Sequence, residues 1–360
     1  MADLNKLVAK FQINDSVKSV EAYGNGHINH TYVVNTVNMC GYDKRYILQA
    51  VNKNVFPDGQ GLMNNVEKVT SYLKPLAEDP RSVMSLVPAV DGKNCYIDEE
   101  GTTWRVYDFI EDSLCLERVE NPEDFYECAY GFGNFQRQLK DFPVDTLIEV
   151  IPDFHNTPKR FETFKKAVAE DLCGRAASVK EEIDFFMSEA DFYSVLYDNL
   201  AAGKLPLRVT HNDTKINNIM LDAKTRKSLC VIDLDTIMPG FSVNDFGDAI
   251  RFGANTAAED EKDLSKVSLS LELFDIYAKG FLAGCGGSLG EDEVMLLPEG
   301  AKMMTIECGM RFLTDYLQGD TYFRTAYEGH NLVRAHTQIE LVKDMNRKWA
   351  EMKEIVKKYL

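Results

Sequence analysis

An α+β chain in two unequal parts is what the sequence predicts, and three observations predict it. Residues 20–110 hold short Val-, Tyr- and Ile-rich runs bounded by Gly, Asn or Asp, which read as strands. From residue 111 onward apolar residues recur mainly at helical spacing. Within that second part, two polar clusters, His211 to Asn218 and Asp233 to Asp235, are each flanked by short strand-like apolar runs. A length of 360 residues favours two domains, placed at 1–110 and 111–360. A hydrophobic content of 45% with 20 Phe and 16 Tyr is enough to give real cores, which excludes global disorder.

In the first part, Val20 to Tyr23, Thr31 to Val37 and Arg45 to Val51 read as successive strands. The first two are joined by Gly24-Asn25-Gly26-His27, where the glycines allow backbone N–H groups to approach a phosphate closely. An ordinary turn would use the same residues. The third strand presents Gln49 where a nucleotide-gripping lysine is expected, with Arg45 on the same face by alternation. A helix follows, with Leu62, Val66, Val69 and Leu73 inward and Glu67 either ordering that strand or solvated. Further strands fall near 85–88, 94–97 and 103–109, the last ending in a hinge at Phe109 and Ile110 whose backbone could pair with a purine.

The second part opens on Asn121-Pro122-Glu123-Asp124, an N-cap, first-turn proline and acidic first turn in succession. The polar run from Asp153 to Phe161, with His155 and Arg160, reads as a capped helix start or as an acceptor-binding loop. Asp245 reads as a loop organiser, its short carboxylate bonding nearby amides. Arg311, on a largely apolar helix, needs a partner, either Asp315 one turn on or a polar substrate. Ile339 to Val356 reads as one long packing helix.

The chemistry is carried by His211-Asn212-Asp213-Thr214-Lys215-Ile216-Asn217-Asn218 and by Val231-Ile232-Asp233. His-x-Asp-x4-Asn followed by an apolar run and Asp is the order of a catalytic base and two metal ligands in Mg-dependent phosphoryl transfer. Mg²⁺ is hard and octahedral and takes one or two protein ligands beside phosphates and water, so Asn218 and Asp233 suffice. Two polar hairpin loops are the bland alternative.

A net charge of −17 without a Lys/Arg stripe speaks against nucleic-acid binding. Acidic runs such as Glu259-Asp260-Glu261 read as solvated helix faces. The eight cysteines form no Cys-x-x-Cys and read as ordinary buried thiols of a reducing compartment. There is no signal-peptide core and no apolar run of membrane-spanning length, so a cytoplasmic protein without membrane or nucleic-acid partners is expected. The oligomeric state is not fixed by these features.

Tyr23 to Asn29, Arg45 to Gln49, Val209 to Lys215, Ile232 to Gly240 and Cys308 to Leu313 together carry a resemblance over nearly the whole chain. It resembles the N-acetylhexosamine 1-kinases of the aminoglycoside-phosphotransferase-like superfamily. The resemblance implies a two-lobed protein-kinase-like fold, with a mainly β N-lobe carrying one helix and a larger, mainly helical C-lobe. It also implies ATP- and Mg²⁺-dependent phosphorylation of the anomeric hydroxyl of N-acetylglucosamine or N-acetylgalactosamine, a salvage reaction. Asp213 is then the base, Asn218 and Asp233 the metal residues, and Gly24, Asn25, Gly26, His27, Gln49, Phe109 and Ile110 the ATP-binding set. Asp213, Arg311, Tyr322, His155 and Arg160 are the expected sugar contacts, because Arg and Tyr supply hydrogen bonds and a flat apolar face. The rivals are a same-fold kinase for another hydroxyl (amino alcohol, thioribose or aminoglycoside) and a catalytically silent nucleotide-binding module.

Overall fold

The computed structural model describes residues 3–24 and 28–360; Asn25, Gly26 and His27, expected at the nucleotide, lie outside the described residues. A short helix α1 (Leu4–Val8) precedes an antiparallel sheet of β1 (Ser16–Ala22), β2 (His30–Val37), β3 (Asp43–Ala50), β4 (Leu86–Val87), β5 (Tyr96–Ile97) and β6 (Thr103–Asp108). The order is β1-β2-β3-β6-β4, with β5 also on β6. Alternation splits this sheet into two faces. Val34, Leu48 and Val106 pack under α1, whereas Tyr107 and Ile47 face α2 (Gly59–Leu73). Leu62, Met63, Val66 and Val69 of α2 are fully buried there, at about 1.5–3 kcal/mol each. Their cluster continues into Val209, Leu234, Ile237 and Met238, so one apolar layer joins the N-lobe to the strands that carry the polar motifs.

Beyond β6 the chain is mainly helical. After β7 (Ser113–Cys115) come α3 (Pro122–Gln138), α4 (Thr157–Glu170), α5 (Lys180–Ser188) and α6 (Val195–Ala201). As expected, Asn121 caps α3 by accepting from Asp124 N–H at 2.8 Å. Two small ribbons follow: β8 (Arg208–Thr210) pairs with β11 (Met238–Gly240), and β9 (Ile219–Asp222) pairs with β10 (Ser228–Val231) and β7. The remainder is α7 (Ser242–Gly253), α8 (Leu271–Cys285), α9 (Glu291–Met295), α10 (Leu297–Leu317), α11 (His330–Arg347) and α12 (Trp349–Lys357). Helices α7 and α10 cross closely because Gly247 and Gly300 have no side chain: a Cβ at either would stand 2.2 or 2.0 Å from the other helix's backbone oxygens. This is the α+β order that the sequence pattern predicts and the protein-kinase-like architecture that the resemblance implies.

Four expectations are corrected. The C-terminal stretch is two helices, because Lys348 leaves helical geometry and sends its ammonium to Leu269 C=O and Asp344. Glu259 to Glu261 form no helix; Glu259 pairs with buried Arg251 at 2.8 Å and Asp260 with His330 at 3.2 Å. Asp245 sits in the first turn of α7 rather than in a loop. Cys40, Cys115 and Cys173 are exposed, whereas Cys95, Cys128, Cys230 and Cys285 are buried as expected, all as free thiols. Among the described residues no helix is long and apolar enough to cross a membrane.

Candidate functional site

The segment from Thr210 to Asn218 is locked before any ligand is considered. His211 is wholly buried against Phe132 and Phe135; its Nε2 meets Ile232 C=O at 2.8 Å and its Nδ1 accepts from Asp213 N–H at 3.3 Å. One donor and one acceptor are what a single imidazole tautomer supplies. Asn212 takes φ of 63°, a left-handed backbone that Asn tolerates better than most residues, and its amide group bridges Thr210 and Thr236. Asp245 accepts from the N–H groups of His211 and Asn212 at 2.9 and 2.8 Å, which is the organising role expected of it.

These constraints set Asp213, Asn218 and Asp233 together. Asp213 Oδ2 accepts from Asn218 Nδ2 at 3.0 Å, and Asp213 Oδ1 pairs with Lys215 Nζ at 2.8 Å. The Asn218 nitrogen is thus engaged, leaving Oδ1 as the unspent atom of the carboxamide. Asp233, at φ 57°, turns sharply out of β10. Its side chain keeps access to solvent while protein atoms surround it. Burial, then the neighbouring Asp235 and Asp213 carboxylates, push its carboxyl up to about 7. A carboxylate disfavoured by its own neighbours, beside a free amide oxygen, suits a hard cation. Among the described residues no three His, Cys, Asp or Glu gather as a self-sufficient metal cage. A metal shared with phosphates needs none, and the residues present fit that case.

On the N-lobe side, Gln49 spends its carboxamide within the sheet, donating to Thr31 Oγ1 at 3.0 Å and accepting from Arg105 Nε at 3.0 Å. Arg45 stacks on Phe109 at 3.7 Å and pairs with Glu111. At the hinge, Phe109 N–H is taken by Arg45 C=O at 3.1 Å, and Ile110 C=O accepts from Ser113 Oγ at 2.7 Å, which leaves that carbonyl one further lone pair. Gly24 keeps a left-handed φ of 76° at the start of the loop. Glu67 is exposed and accepts from Asn94 Nδ2 at 2.8 Å, so it does not order β3; the α2 residue facing Arg105 is Met63, at 3.8 Å.

On the C-lobe side, His155, Arg160, Arg311 and Tyr322 converge. His155 Nδ1 lies 2.8 Å from Glu307 Oε1 and its Nε2 3.3 Å from Asn212 C=O, which ties this group to the Asp213 loop. Arg160 donates to Phe154 C=O at 3.0 Å, and burial, then the nearby Arg311 charge, lower its pKa. Arg311 does not pair with Asp315, which instead accepts from the N–H groups of Thr321, Tyr322 and Phe323. Its guanidinium stands 5.5, 5.8 and 5.4 Å from the rings of Phe154, Tyr322 and Phe323.

Several participants were not evident from sequence. Glu307 is fully buried and accepts from Thr157 Oγ1 at 2.6 Å as well as facing His155; its place one turn before Arg311 was the available signal. Burial raises its carboxyl, but His155, Arg311 and Thr157 outweigh that and hold it below the ordinary 4.5. A depressed folded-state pKa means that its contribution to stability is complete above pH 4.5 and drains away as pH falls through the lower folded value. Glu307→Gln should therefore weaken the protein at neutral pH and flatten the acid limb of a stability–pH curve followed by circular dichroism. An acid limb as steep as the unaltered protein's would remove Glu307 as its cause. Lys215 was signalled only by lying two residues from Asp213, and burial lowers while Asp213 and then Asp248 more than restore its pKa, leaving it raised.

This geometry has relatives. The crystal structure of an aminoglycoside phosphotransferase from Alicyclobacillus acidocaldarius aligns over 98% of this chain and 96% of its own at 11% identity and a TM-score of 0.63. A microcompartment-associated aminopropanol kinase aligns over 97% and 98% at 13% identity and 0.59. An ethanolamine kinase of Plasmodium vivax aligns over 91% and 84% at 15% identity and 0.56. At such identities these likenesses concern the fold. The sequence itself matches the APH family, described as the phosphotransferase enzyme family, over residues 19–267, which takes in the sheet, the Asp213 loop, Asp233 and α7. The chain belongs to the APH phosphotransferase enzyme family.

Proposed function

We propose that the chain transfers the γ-phosphate of ATP to the anomeric hydroxyl of an N-acetylhexosamine, N-acetylglucosamine or N-acetylgalactosamine. One observation carries the choice of acceptor: the group beside the Asp213 loop is two arginines among aromatic rings, and the buried carboxylates near it are already engaged, Glu307 by His155 and Thr157 and Asp248 by Arg251. Ammonium-bearing acceptors call for free carboxylates. A neutral polyhydroxyl compound calls for donors and flat apolar faces, which Arg160, Arg311, Phe154 and Tyr322 supply. The resemblance of Cys308 to Leu313 and of the Gly24 segment to the hexosamine kinases supports the same reading.

Asp213 orients the C1 hydroxyl and takes its proton, while Lys215 stands against the same carboxylate and neutralises charge there. Asn218 and Asp233 would hold Mg²⁺, which when bound neutralises the β- and γ-phosphates. Glu307 fixes the His155 ring, and His155 in turn abuts Asn212, so the acceptor wall and the base move as one unit. Positioning and charge neutralisation matter more here than a strong base, because phosphoryl transfer passes through a loose transition state.

Incubation with ATP, Mg²⁺ and a panel of sugars, followed by phosphorus NMR, should give a hexosamine 1-phosphate. A 6-phosphate, or product only with an amino alcohol, would overturn the reading. The second possibility, a same-fold kinase for another hydroxyl, draws on relatives named for aminopropanol and ethanolamine, and the same panel separates the two.

A further inference from the structure

Strand β3 offers a carboxamide at Gln49, and the nearest buried positive charge stands one strand over. Gln49 is in register with Arg105 of β6, whose Nε donates to Gln49 Oε1 at 3.0 Å. The Nη1 of Arg105 forms an ion pair with Asp235 Oδ1, two residues beyond Asp233. The other Asp235 oxygen accepts from Asn29 Nδ2 at 2.6 Å, and Asn29 Oδ1 accepts from Asn52 N–H at 3.0 Å. Side-chain exposures of 1% for Arg105 and 5% for Asp235 mean that no phosphate reaches this guanidinium directly. A buried arginine whose Nε and Nη1 are given to an amide and to a carboxylate beside the metal turn has no contact with the acceptor group.

We propose that Arg105 is a positioning residue for the metal–nucleotide site, supplying from beneath the sheet the positive charge that β3 lacks and acting through Asp235. An Asp235 carboxylate without Arg105 would be an uncompensated buried negative charge two residues from Asp233, beside a site that must receive a triphosphate. A guanidinium in the interior is screened little, so it neutralises Asp235 effectively and leaves Asp233 as the carboxylate available to a cation. The same contact has a geometric effect. Asp235 is held from the N-lobe by Arg105 on one oxygen and by Asn29, at the end of the Gly24 loop, on the other. The turn that aims Asp233 is thereby registered against Asn29 and against strand β6 of the N-lobe sheet. The planar fork of arginine is required, because one group must reach Gln49 and Asp235 at once; a lysine brings the charge without the fork.

The inference rests on the reading that Asp233 and Asn218 hold the metal, and the test separates the two. Mn²⁺ binding in the presence of ADP is followed by electron paramagnetic resonance for full-length Arg105→Met, Arg105→Lys, Asn29→Ala and the reference Asp233→Asn, with melting temperature and the KM values for ATP and sugar alongside. Arg105→Met should weaken Mn²⁺–ADP binding by about 10–100-fold, the usual effect of losing a residue that supports a metal ligand. It should raise the KM for ATP correspondingly while the KM for sugar stays nearly constant. Arg105→Lys should restore part of the binding, and Asn29→Ala should lose binding without loss of melting temperature. If Asp233→Asn abolishes Mn²⁺–ADP binding while Arg105→Lys and Asn29→Ala bind like the unaltered protein, the inference is overturned, whether or not Arg105→Met folds. If Asp233→Asn itself binds normally, the metal reading falls, and the inference with it.

Discussion

Replacing Asp213 by Asn is expected to lower kcat about 10²–10⁴-fold, the usual contribution of a positioned general base. That is about 3–5 kcal/mol of transition-state stabilisation. The asparagine fills the same space, so the loss reports chemistry rather than packing. Its effect on the site is still specific. Asp213 accepts on both oxygens, from Asn218 on one and from Lys215 on the other. A carboxamide must turn an NH2 towards one of these two donors, and the proton of the acceptor hydroxyl then has no base to receive it. Nucleotide binding draws on other groups, so the KM for ATP should change far less than kcat, the signature of an interaction made in the transition state. Steady-state kinetics with a coupled ADP assay, beside ADP binding by calorimetry, reads both quantities. An Asp213→Asn enzyme within threefold of normal kcat would remove Asp213 from the base role, and with it the proposed mechanism.

The grouping of Asp213, Asn218 and Asp233 was legible because His, Asp, Asn and the later Asp keep a linear spacing that survives without any knowledge of tertiary contacts. Strand-rich and helix-rich parts were legible for the same reason, since period 2 and period 3.6 are local. What was not legible depends on register or on long-range pairing. Gln49 suggested a missing charge, but that Arg105 stands opposite it follows only from the β3–β6 pairing, and Asp235 belongs to the other lobe. Glu67 was a plausible partner for β3 by position on α2, yet the helix turns it outward to Asn94 and gives Met63 the inward place. Arg311 and Asp315 have the spacing of a helical ion pair, but Asp315 finds three backbone N–H groups after the helix ends, and short-range donors that cannot otherwise be satisfied win. The break at Lys348 is of the same kind, since its partners at Ser268 and Leu269 are far away in sequence.

The second large effect is expected at Asp245, which touches no substrate in the proposed mechanism. Its carboxylate is 2% exposed and accepts from His211 N–H, Asn212 N–H and Gln136 Nε2 at 2.9, 2.8 and 2.8 Å. Asp245→Ala would leave the buried N–H groups of His211 and Asn212 with nothing to accept them, at about 1–3 kcal/mol for each, and would leave Gln136 Nε2 with Val209 C=O as its one acceptor. Water cannot easily replace the carboxylate, because the cavity left by the side chain is ringed by the packed α3, α7 and β8. A loss of about 3–5 kcal/mol is a large part of the stability of an ordinary domain, so the urea midpoint should fall markedly. Function should fall further than stability alone requires, because Asn212 relies on that carboxylate to hold its left-handed turn, and Asp213 follows directly. Asp245→Asn keeps one accepting oxygen but sets an NH2 against a second donor, so it should recover only part of the midpoint. The comparison is made below the melting range, with kcat corrected for the folded fraction. A normal urea midpoint in Asp245→Ala would show that the loop holds its shape without this carboxylate, whereas a lowered midpoint with normal corrected kcat would confine Asp245 to stability and leave Asp213 positioned by its other contacts.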